Sequence, residues 1–185
     1  MNKAIFLDRD GVINRSAGDG KYITHWQEMR FLPGVVEAIG LLNRGGFLVI
    51  VVTNQRCVAK GLITTEGLEA LHQKMRSELA LAGARIDQVY YCPHDAQQAC
   101  GCRKPAPGML LQAAQEHVIS LSESWMVGDS ASDVEAGRRA GCKTARIEYH
   151  HSFPGSSGDV TASSLIDVVI QLLDRDKMSA QFCTV

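Results

Sequence analysis

The alternation of short β-rich segments with helix-like segments is the sequence feature that most constrains this fold. One β-rich segment contains the uninterrupted apolar run FLVIVV, which is typical of a parallel strand covered on both faces. The predicted strands are residues 4–7, 47–53, 88–91, 125–127 and 144–147. The predicted helices are residues 35–43, 66–82, 109–117, 134–140 and 165–175. Because this alternation favours right-handed crossovers, we predict a three-layer α/β domain with a mainly parallel, Rossmann-like sheet.

Residues that commonly begin and end helices support these boundaries. Pro33 and Gly34 precede the first predicted helix, and Pro107 begins the third. Thr64 can cap the second helix and Gly141 can close the fourth. We therefore expect residues 1–175 to form one domain, followed by a disordered tail over residues 176–185. A loop at the edge of the sheet is expected around His150, His151 and residues 155–158.

Charge and hydropathy exclude two classes of partner. The net charge of −1 gives no bulk basic field that would attract nucleic acid or an anionic membrane. The longest apolar runs are far too short to span a bilayer. The amino terminus, MNKAIFLD, leads straight into a strand without a secretory signal pattern. We expect a cytoplasmic monomer that binds neither nucleic acid nor membrane.

Polar side chains follow several of the predicted strands at the point where each strand ends. They are Asp8 and Asp10 after the first strand, Thr53 and Asn54 after the second, and Asp129 after the fourth, with Arg103 and Lys104 ahead of the third helix. Ligands of such sheets bind outside the carboxyl ends of the strands, so these groups should converge. Three carboxylates at one point need a hard cation, and Mg²⁺ prefers oxygen ligands of this kind. Lys104 and Thr53 can hold the oxygens of a phosphate beside that cation.

This combination predicts a displacement at phosphorus. Asp8 can act as a nucleophile and divide a difficult hydrolysis into two steps through an aspartyl-phosphate. Asp10 lies two residues further along the same extended segment, where it can protonate the leaving oxygen and then activate water. The expected partner is a small phosphorylated metabolite.

Four segments resemble the motifs of the haloacid dehalogenase superfamily of phosphatases, in the family's order. They are DRDG at residues 8–11, VVTNQ at 51–55, CRKP at 102–105 and VGDSASD at 127–133. The resemblance covers about the first 150 residues. It implies that Asp8 is the nucleophile, Asp10 the acid/base, and Thr53 and Lys104 the phosphate clamps. It also implies magnesium ligands from Asp8, Asp129 and the backbone carbonyl of Asp10. Asp133 occupies the last acidic position, where direct ligation, a water-mediated contact and a hydrogen bond all remain open.

A cysteine-rich loop precedes the third motif. Cys92, His94, Cys100 and Cys102 form a C-x-H-x5-C-x-C pattern, and three sulfurs with one imidazole are a common tetrahedral zinc set. All four positions would be protein ligands, so the zinc should be structural and hold the loop that leads into Arg103 and Lys104. Free thiols in a mobile loop, or a disulfide, are the alternatives.

The CPH…CxCRKP loop resembles a branch of the superfamily without a large cap domain, which acts on D-glycero-D-manno-heptose 1,7-bisphosphate or on histidinol phosphate. The chain agrees, because residues 55–88 leave room for only one helix and its connections. FLDRDGVIN, the VAKG after TNQ, and Tyr22 are similar to the heptose group, whereas the five-residue gap before Cys100 also fits the histidinol group. Arg56 and Cys57 depart from the expected Ser-Gly pair. The expected substrate-binding residues are Arg9, Tyr22, Thr53, Asn54, Gln55, Arg56, Arg103 and Lys104.

The favoured activity is therefore removal of the 7-phosphate of D-glycero-D-manno-heptose 1,7-bisphosphate, a step in the synthesis of lipopolysaccharide precursors. A histidinol-phosphate or other sugar-phosphate phosphatase is the alternative on the same residues. A non-catalytic phosphate-binding module is a second alternative, which the intact Asp8, Asp10, Lys104 and Asp129 disfavour. A phosphate-transferring mutase is a third, disfavoured because the missing cap leaves an intermediate open to water.

Overall fold

A six-stranded sheet lies at the centre of the computed structural model, which describes residues 1–148 and 158–182, with the backbone alone from residue 176. The strands are β1 (Ala4–Leu7), β2 (Leu48–Asn54), β3 (Gln88–Cys92), β4 (Trp125–Gly128), β5 (Lys143–Ile147) and β6 (Val160–Ala162). The helices are α1 (Val35–Arg44), α2 (Thr65–Leu81), α3 (Gly108–His117), α4 (Ala131–Ala140) and α5 (Leu165–Phe182).

All neighbouring strands run parallel, in the order β3-β2-β1-β4-β5-β6. The central strand β1 pairs with β2 on one side and β4 on the other, so that Leu7 lies level with both Val51 and Val127. The chain moves outward in one direction from β1 to β3 and in the other direction from β4 to β6. The carboxyl ends of β1 and β4 therefore form the switch point at which ligands of such sheets bind.

Alternate residues of the strands enter two hydrophobic clusters, one on each face of the sheet. Ile5 and Leu7 pack in the cluster that also contains buried residues of α1, α2 and α5. Ala4 and Phe6 pack in the second cluster with buried residues of α3 and α4. Every position of β1 is thus buried, which explains why the central strands are apolar without interruption. The three-layer α/β prediction is confirmed.

The five predicted strands and five predicted helices are present, with differences at their ends. β6 was not predicted, since a three-residue strand leaves almost no periodicity to detect. α4 begins at Ala131, three residues before the predicted start, and α5 continues to Phe182 instead of ending at residue 175. Two of the predicted helix-end residues act as expected. Thr64 accepts a hydrogen bond from the Gly67 amide at 3.1 Å, and Gly141 ends α4 with a φ of 85°.

No cap domain interrupts the described residues. Residues 8–34 connect β1 to α1 through one short 3-10 helix, and residues 55–64 connect β2 to α2. Among the described helices, none combines the length and apolar character that a membrane crossing requires. His150, His151 and residues 155–157 lie outside the described residues, as does Cys183. The disorder expected for residues 176–185 stays a prediction.

Candidate active site

Lys104 is the buried cation at the centre of the site. Its ammonium lies 2.9 Å from Asp8 Oδ1, 2.6 Å from Asp133 Oδ1 and 2.8 Å from the Val52 carbonyl oxygen. These three acceptors match the three N–H donors of a lysine. Burial disfavours the charge, but the two carboxylates outweigh burial and raise the pKa of Lys104 above its usual value. The side chain therefore carries a permanent positive charge between β1, β2 and α4.

Asp8 stands directly after β1 and faces the switch point. Its Oδ1 receives the Arg9 amide at 2.7 Å as well as the Lys104 ammonium. Neither of these donors occupies Oδ2, which leaves this oxygen for attack or for a metal. Burial raises the pKa of Asp8 to about 7, and the negative charges of Asp133 and Asp10 act in the same direction against Lys104. An added cation would favour the ionised form.

Asp129 and Asp133 complete an acidic cluster with Asp8. Carboxylate oxygens of the three residues lie within 4.8 Å of one another, a separation that the shell of one Mg²⁺ can bridge. Burial raises the pKa of Asp129 to about 6, with a further contribution from the charge of Asp133. Three carboxylates this close together repel one another, and oxygen ligands of this kind are those that Mg²⁺ prefers. The residues present therefore fit the predicted magnesium.

Asp133 is committed more strongly to protein groups than the other two carboxylates. Its Oδ1 pairs with Lys104, while its Oδ2 accepts the Ser130 amide at 3.0 Å and the Ser130 hydroxyl at 2.6 Å. The Ser130 contacts also cap the first turn of α4. Of the three possibilities left open by the sequence, the hydrogen-bonded role of Asp133 is the one these contacts support.

Two glycines make room for these carboxylates. A Cβ atom at Gly11 would lie 1.9 Å from Asp129 Oδ2, and Gly11 also has a φ of 85°. A Cβ atom at Gly128 would lie 2.1 Å from the Cβ of Asp133. The glycine of DRDG and the glycine before Asp129 are therefore required by close approach of the acidic side chains.

Asp10 is held in a network of donors beside the cluster. Its carboxylate accepts from the Arg9 guanidinium at 2.8 Å, from Asn14 Nδ2 at 2.8 Å and from Gln55 Nε2 at 3.1 Å. Burial works to raise the pKa of Asp10. The charge of Arg9 and the three sets of hydrogen bonds outweigh that effect and lower the pKa below its usual value.

The polar side chains of the VVTNQ motif form hydrogen bonds with other residues of the site. Thr53 is almost fully buried, and its hydroxyl accepts from Gln55 Nε2 at 2.9 Å. Asn54 bonds the backbone of Lys104 in both directions, accepting from its amide at 3.0 Å and donating to its carbonyl at 3.1 Å. In this structure Asn54 and Gln55 thus hold Lys104 and Asp10, respectively. Their predicted contact with substrate stays a prediction.

Basic and aromatic side chains of the loops after β1 and β2 contact one another and the cysteine-rich loop. Arg56 forms an ion pair with Asp95 of the cysteine-rich loop at 2.8 Å. This hydrogen-bonded pair raises the pKa of Arg56 above its usual value, with a smaller contribution from Tyr22. Lys60 Nζ lies 5.0 Å from the centre of the Tyr22 ring. The loops that carry Tyr22, Arg56 and Asp95 therefore meet at one rim.

The four predicted zinc ligands come together in the structure. Cys92 Sγ lies 3.7 Å from Cys100 Sγ and 3.2 Å from Cys102 Sγ, while His94 Nδ1 lies 3.3 Å from Cys102 Sγ. Four zinc bonds to sulfur of about 2.3 Å in a tetrahedron place the sulfurs about 3.8 Å apart. All four ligand atoms lie within 4.8 Å of one another, and none of these cysteines forms a disulfide. The set fits one tetrahedral metal ion.

Arg103 connects this loop to the acidic cluster. Its Nη1 donates to the His94 carbonyl at 3.2 Å, and the next residue is the buried Lys104. A metal ion bound to His94 would therefore fix the position of the backbone oxygen that holds Arg103.

Two residues of the site were not predicted from sequence. Asn14 is fully buried and donates to Asp10, and the bridges that it makes to Asp10 and Phe31 close the turn after β1. His72 is also buried, and its Nε2 lies 3.1 Å from Arg9 Nη1. A histidine within the apolar stripe of α2 was the available signal for the second residue. Arg9, predicted to bind substrate, is itself fully buried against these partners.

Comparisons with known proteins agree with this geometry. A family model described as HAD-hydrolase-like matches residues 101–149. The D-glycero-beta-D-manno-heptose-1,7-bisphosphate 7-phosphatase of Rhodopseudomonas palustris is 44% identical over 152 residues, covering 78% of this chain and 83% of the relative. The enzyme of the same name from Pseudomonas aeruginosa is 40% identical over 144 residues, covering 78% and 80%.

A solved structure has the same arrangement of elements. The D,D-heptose 1,7-bisphosphate phosphatase from B. bronchiseptica, complexed with magnesium and phosphate, superposes with a TM-score of 0.83 at 35% identity, covering 94% of this chain and 99% of that one. The site and these relatives define a phosphomonoester hydrolase. The chain belongs to the haloacid dehalogenase-like phosphatases, in the branch that contains the enzymes named D-glycero-beta-D-manno-heptose-1,7-bisphosphate 7-phosphatase.

The close approach of Gly11 to Asp129 leads to a first prediction. Gly11→Ala should displace the Asp129 carboxylate and lower phosphatase turnover by about 100-fold, because a shift of about 1 Å at a catalytic group has an effect of that size. Gly46→Ala is the matched control, since Gly46 has a φ of 77° but open space around its Cβ position. Steady-state hydrolysis measures both variants, and equal losses would show that backbone strain, not contact with Asp129, is responsible.

Proposed function

We propose that this protein is a magnesium-dependent phosphatase that removes the 7-phosphate of D-glycero-D-manno-heptose 1,7-bisphosphate through an aspartyl-phosphate on Asp8. The observation that carries the proposal is the Asp8 carboxylate held by Lys104, beside Asp129 at the carboxyl end of β1. The R. palustris relative, which is 44% identical, is named as a heptose-1,7-bisphosphate 7-phosphatase, and this name supports heptose 1,7-bisphosphate as the substrate. The step belongs to the supply of heptose precursors for lipopolysaccharide.

The chain's own residues divide the reaction into two displacements. In the first, Asp8 Oδ2 forms a bond to phosphorus while the bond from phosphorus to the sugar oxygen breaks, and Asp10 delivers a proton to that oxygen. In the second, Asp10 takes a proton from water, whose oxygen attacks phosphorus and releases Asp8 with inorganic phosphate. Lys104 favours the ionised form of Asp8 before the first step and holds Oδ1 in place through both steps, and Thr53 binds a phosphate oxygen with Lys104.

Magnesium is proposed as the resident cation of the acidic cluster. Asp8, Asp129 and the backbone carbonyl of Asp10 would hold it, with Asp133 in support through Lys104 and Ser130. When bound, the ion neutralises charge that develops on the phosphoryl oxygens. The solved relative from B. bronchiseptica, which contains magnesium and phosphate, supports this choice.

The rim residues are proposed to select the substrate. Since no cap domain interrupts the described residues, the loops that carry Tyr22, Arg56 and Arg103 would contact the part of the ligand that lies outside the acidic cluster. A sugar bisphosphate needs a second cationic anchor, and Arg56, Lys60 and Arg103 supply positive charge there. Zinc on the cysteine-rich loop would hold Arg103 in place. The cytoplasmic location and monomeric state stay predictions.

The proposed substrate is tested by a comparison of three phosphate esters. We expect kcat/KM for heptose 1,7-bisphosphate to exceed the values for histidinol phosphate and fructose 1,6-bisphosphate by at least about tenfold, a ratio that one well-placed anchor can produce. ³¹P NMR of the product should show that the 7-phosphate is lost and the 1-phosphate is kept. Faster hydrolysis of histidinol phosphate would reject the proposed substrate while leaving the phosphatase chemistry in place.

The nucleophile is tested by Asp8→Asn. The amide has nearly the same shape but cannot attack phosphorus, so turnover should fall by about a thousandfold or more. Thermal denaturation should show a folded protein. Glu135→Gln, which breaks an exposed ion pair with Arg139, serves as the control and should keep full activity. A folded Asp8→Asn protein with normal turnover would contradict the mechanism.

The two metal sites should differ in how readily a chelator removes their metal ions. Elemental analysis should find about one zinc per chain, as expected for one closed tetrahedral site. A mild chelator should abolish activity while zinc is retained, because magnesium sites keep several waters and bind more weakly.

Substitution of Cys100 and Cys102 by serine tests what the zinc does. The double variant should lose zinc and raise KM, because Arg103 is held by the loop. Cys142→Ala, a buried cysteine outside the cluster, should keep zinc and KM unchanged. A zinc-free double variant with an unaltered KM would contradict the positioning role.

A further inference from the structure

Arg9 is the largest fully buried side chain of the described residues. A buried guanidinium is tolerated only where its charge is paired and its five N–H donors find acceptors. The charge is paired with Asp10: Nε lies 3.2 Å from Oδ1, and Nη2 lies 3.0 Å from Oδ1 and 2.8 Å from Oδ2. These contacts fix one edge of the guanidinium plane against the acid/base carboxylate.

His72 holds the other side of the same plane. Arg9 Nη1 lies 3.1 Å from His72 Nε2. Arginine has no acceptor, so the imidazole must accept at Nε2, and its proton must then be at Nδ1. The neutral state agrees with burial, which together with the charge of Arg9 lowers the pKa of His72 to about 3. His72 therefore acts as a hydrogen-bond acceptor.

His72 is the one polar residue among the buried residues of α2, which are otherwise Leu68, Leu71, Met75 and Leu79. Its ring also lies 5.7 Å from the ring of Tyr91. The imidazole is the polar exception at the point where α2 meets Arg9. The hydrogen bond to Arg9 is the contact that connects His72 to Asp10.

We propose that His72 is a positioning residue for the reaction: it orients Arg9, which in turn holds the carboxylate of Asp10 where it can reach the leaving oxygen. The proposal rests on the phosphatase function assigned to Asp8 and Asp10. Asn14 and Gln55 also donate to Asp10, and His72 acts on the direction of this carboxylate through Arg9.

Leaving-group dependence separates this role from simple packing. 4-Nitrophenyl phosphate releases a stable anion that needs no proton, whereas a sugar phosphate depends on Asp10 to protonate its oxygen. The value of kcat/KM reports the first displacement, which is the one that uses this proton. The comparison ester is whichever of the three esters tested above is hydrolysed fastest, so the result does not depend on the identity of the natural substrate.

His72→Leu should lower kcat/KM for the comparison ester roughly tenfold, part of the effect of a general acid, and should leave kcat/KM for 4-nitrophenyl phosphate within about twofold. His72→Gln, whose amide oxygen can accept from Arg9, should restore most of the loss. His72→Met provides a second variant without a strong acceptor if the leucine variant does not fold.

Met75→Ala is the matched control, because Met75 is buried one turn further along α2. It should lower the melting temperature without changing the ratio of kcat/KM between the two esters. Equal losses on both esters in the folded leucine or methionine variant would overturn the positioning role. Full activity of either variant, or a folded glutamine variant no better than leucine, would also overturn it. Absence of hydrolysis of every ester by the unsubstituted protein would instead contradict the phosphatase assignment itself.

Discussion

The buried ammonium of Lys104 is the interaction on which the rest of the site depends. It contacts Asp8 after β1, Asp133 in α4 and the Val52 carbonyl in β2, so it joins three elements that are distant in sequence. Removing a single partner of a buried ion pair leaves an uncompensated charge and is strongly destabilising. The same ion pairs that orient the nucleophile therefore also hold the sheet and α4 together at its carboxyl edge.

Two sets of potential metal ligands flank the segment that carries this lysine. On one side lie the carboxylates of Asp8 and Asp129, and on the other the sulfur atoms of the cysteine-rich loop. A cation would neutralise the carboxylates, which repel one another, and would favour the thiolate form of Cys92 and Cys102, whose pKa values burial raises. Arg103 and Lys104 lie between them, so metal binding on both sides would fix the short segment that contacts a phosphorylated ligand. Structural and catalytic metals would then serve the same two residues.

Asp10, the proposed acid/base, is bound by side chains in the protein interior. Asp10 faces the site, but its partners Arg9, Asn14 and Gln55 are buried, and His72 extends this network to α2. Under the proposed function, selection of substrate falls to the rim residues Tyr22 and Arg56, which lie on different loops from this network.

Sequence alone determined most of the fold and predicted which polar residues lie together at the carboxyl ends of the central strands. Strand β1 was predicted to the residue, because central parallel strands are continuous apolar runs, and Asp8, Asp10 and Asp129 followed from the ends of such strands. β6 and the full length of α5 were missed, since short or frayed elements carry little periodicity. The tertiary structure decided which polar residue serves which partner. Arg9 is turned inward to Asp10 and His72, and Asn54 holds the backbone of Lys104, because hydrogen-bond partners up to 63 residues apart are chosen by packing across the sheet and leave no local pattern in the chain.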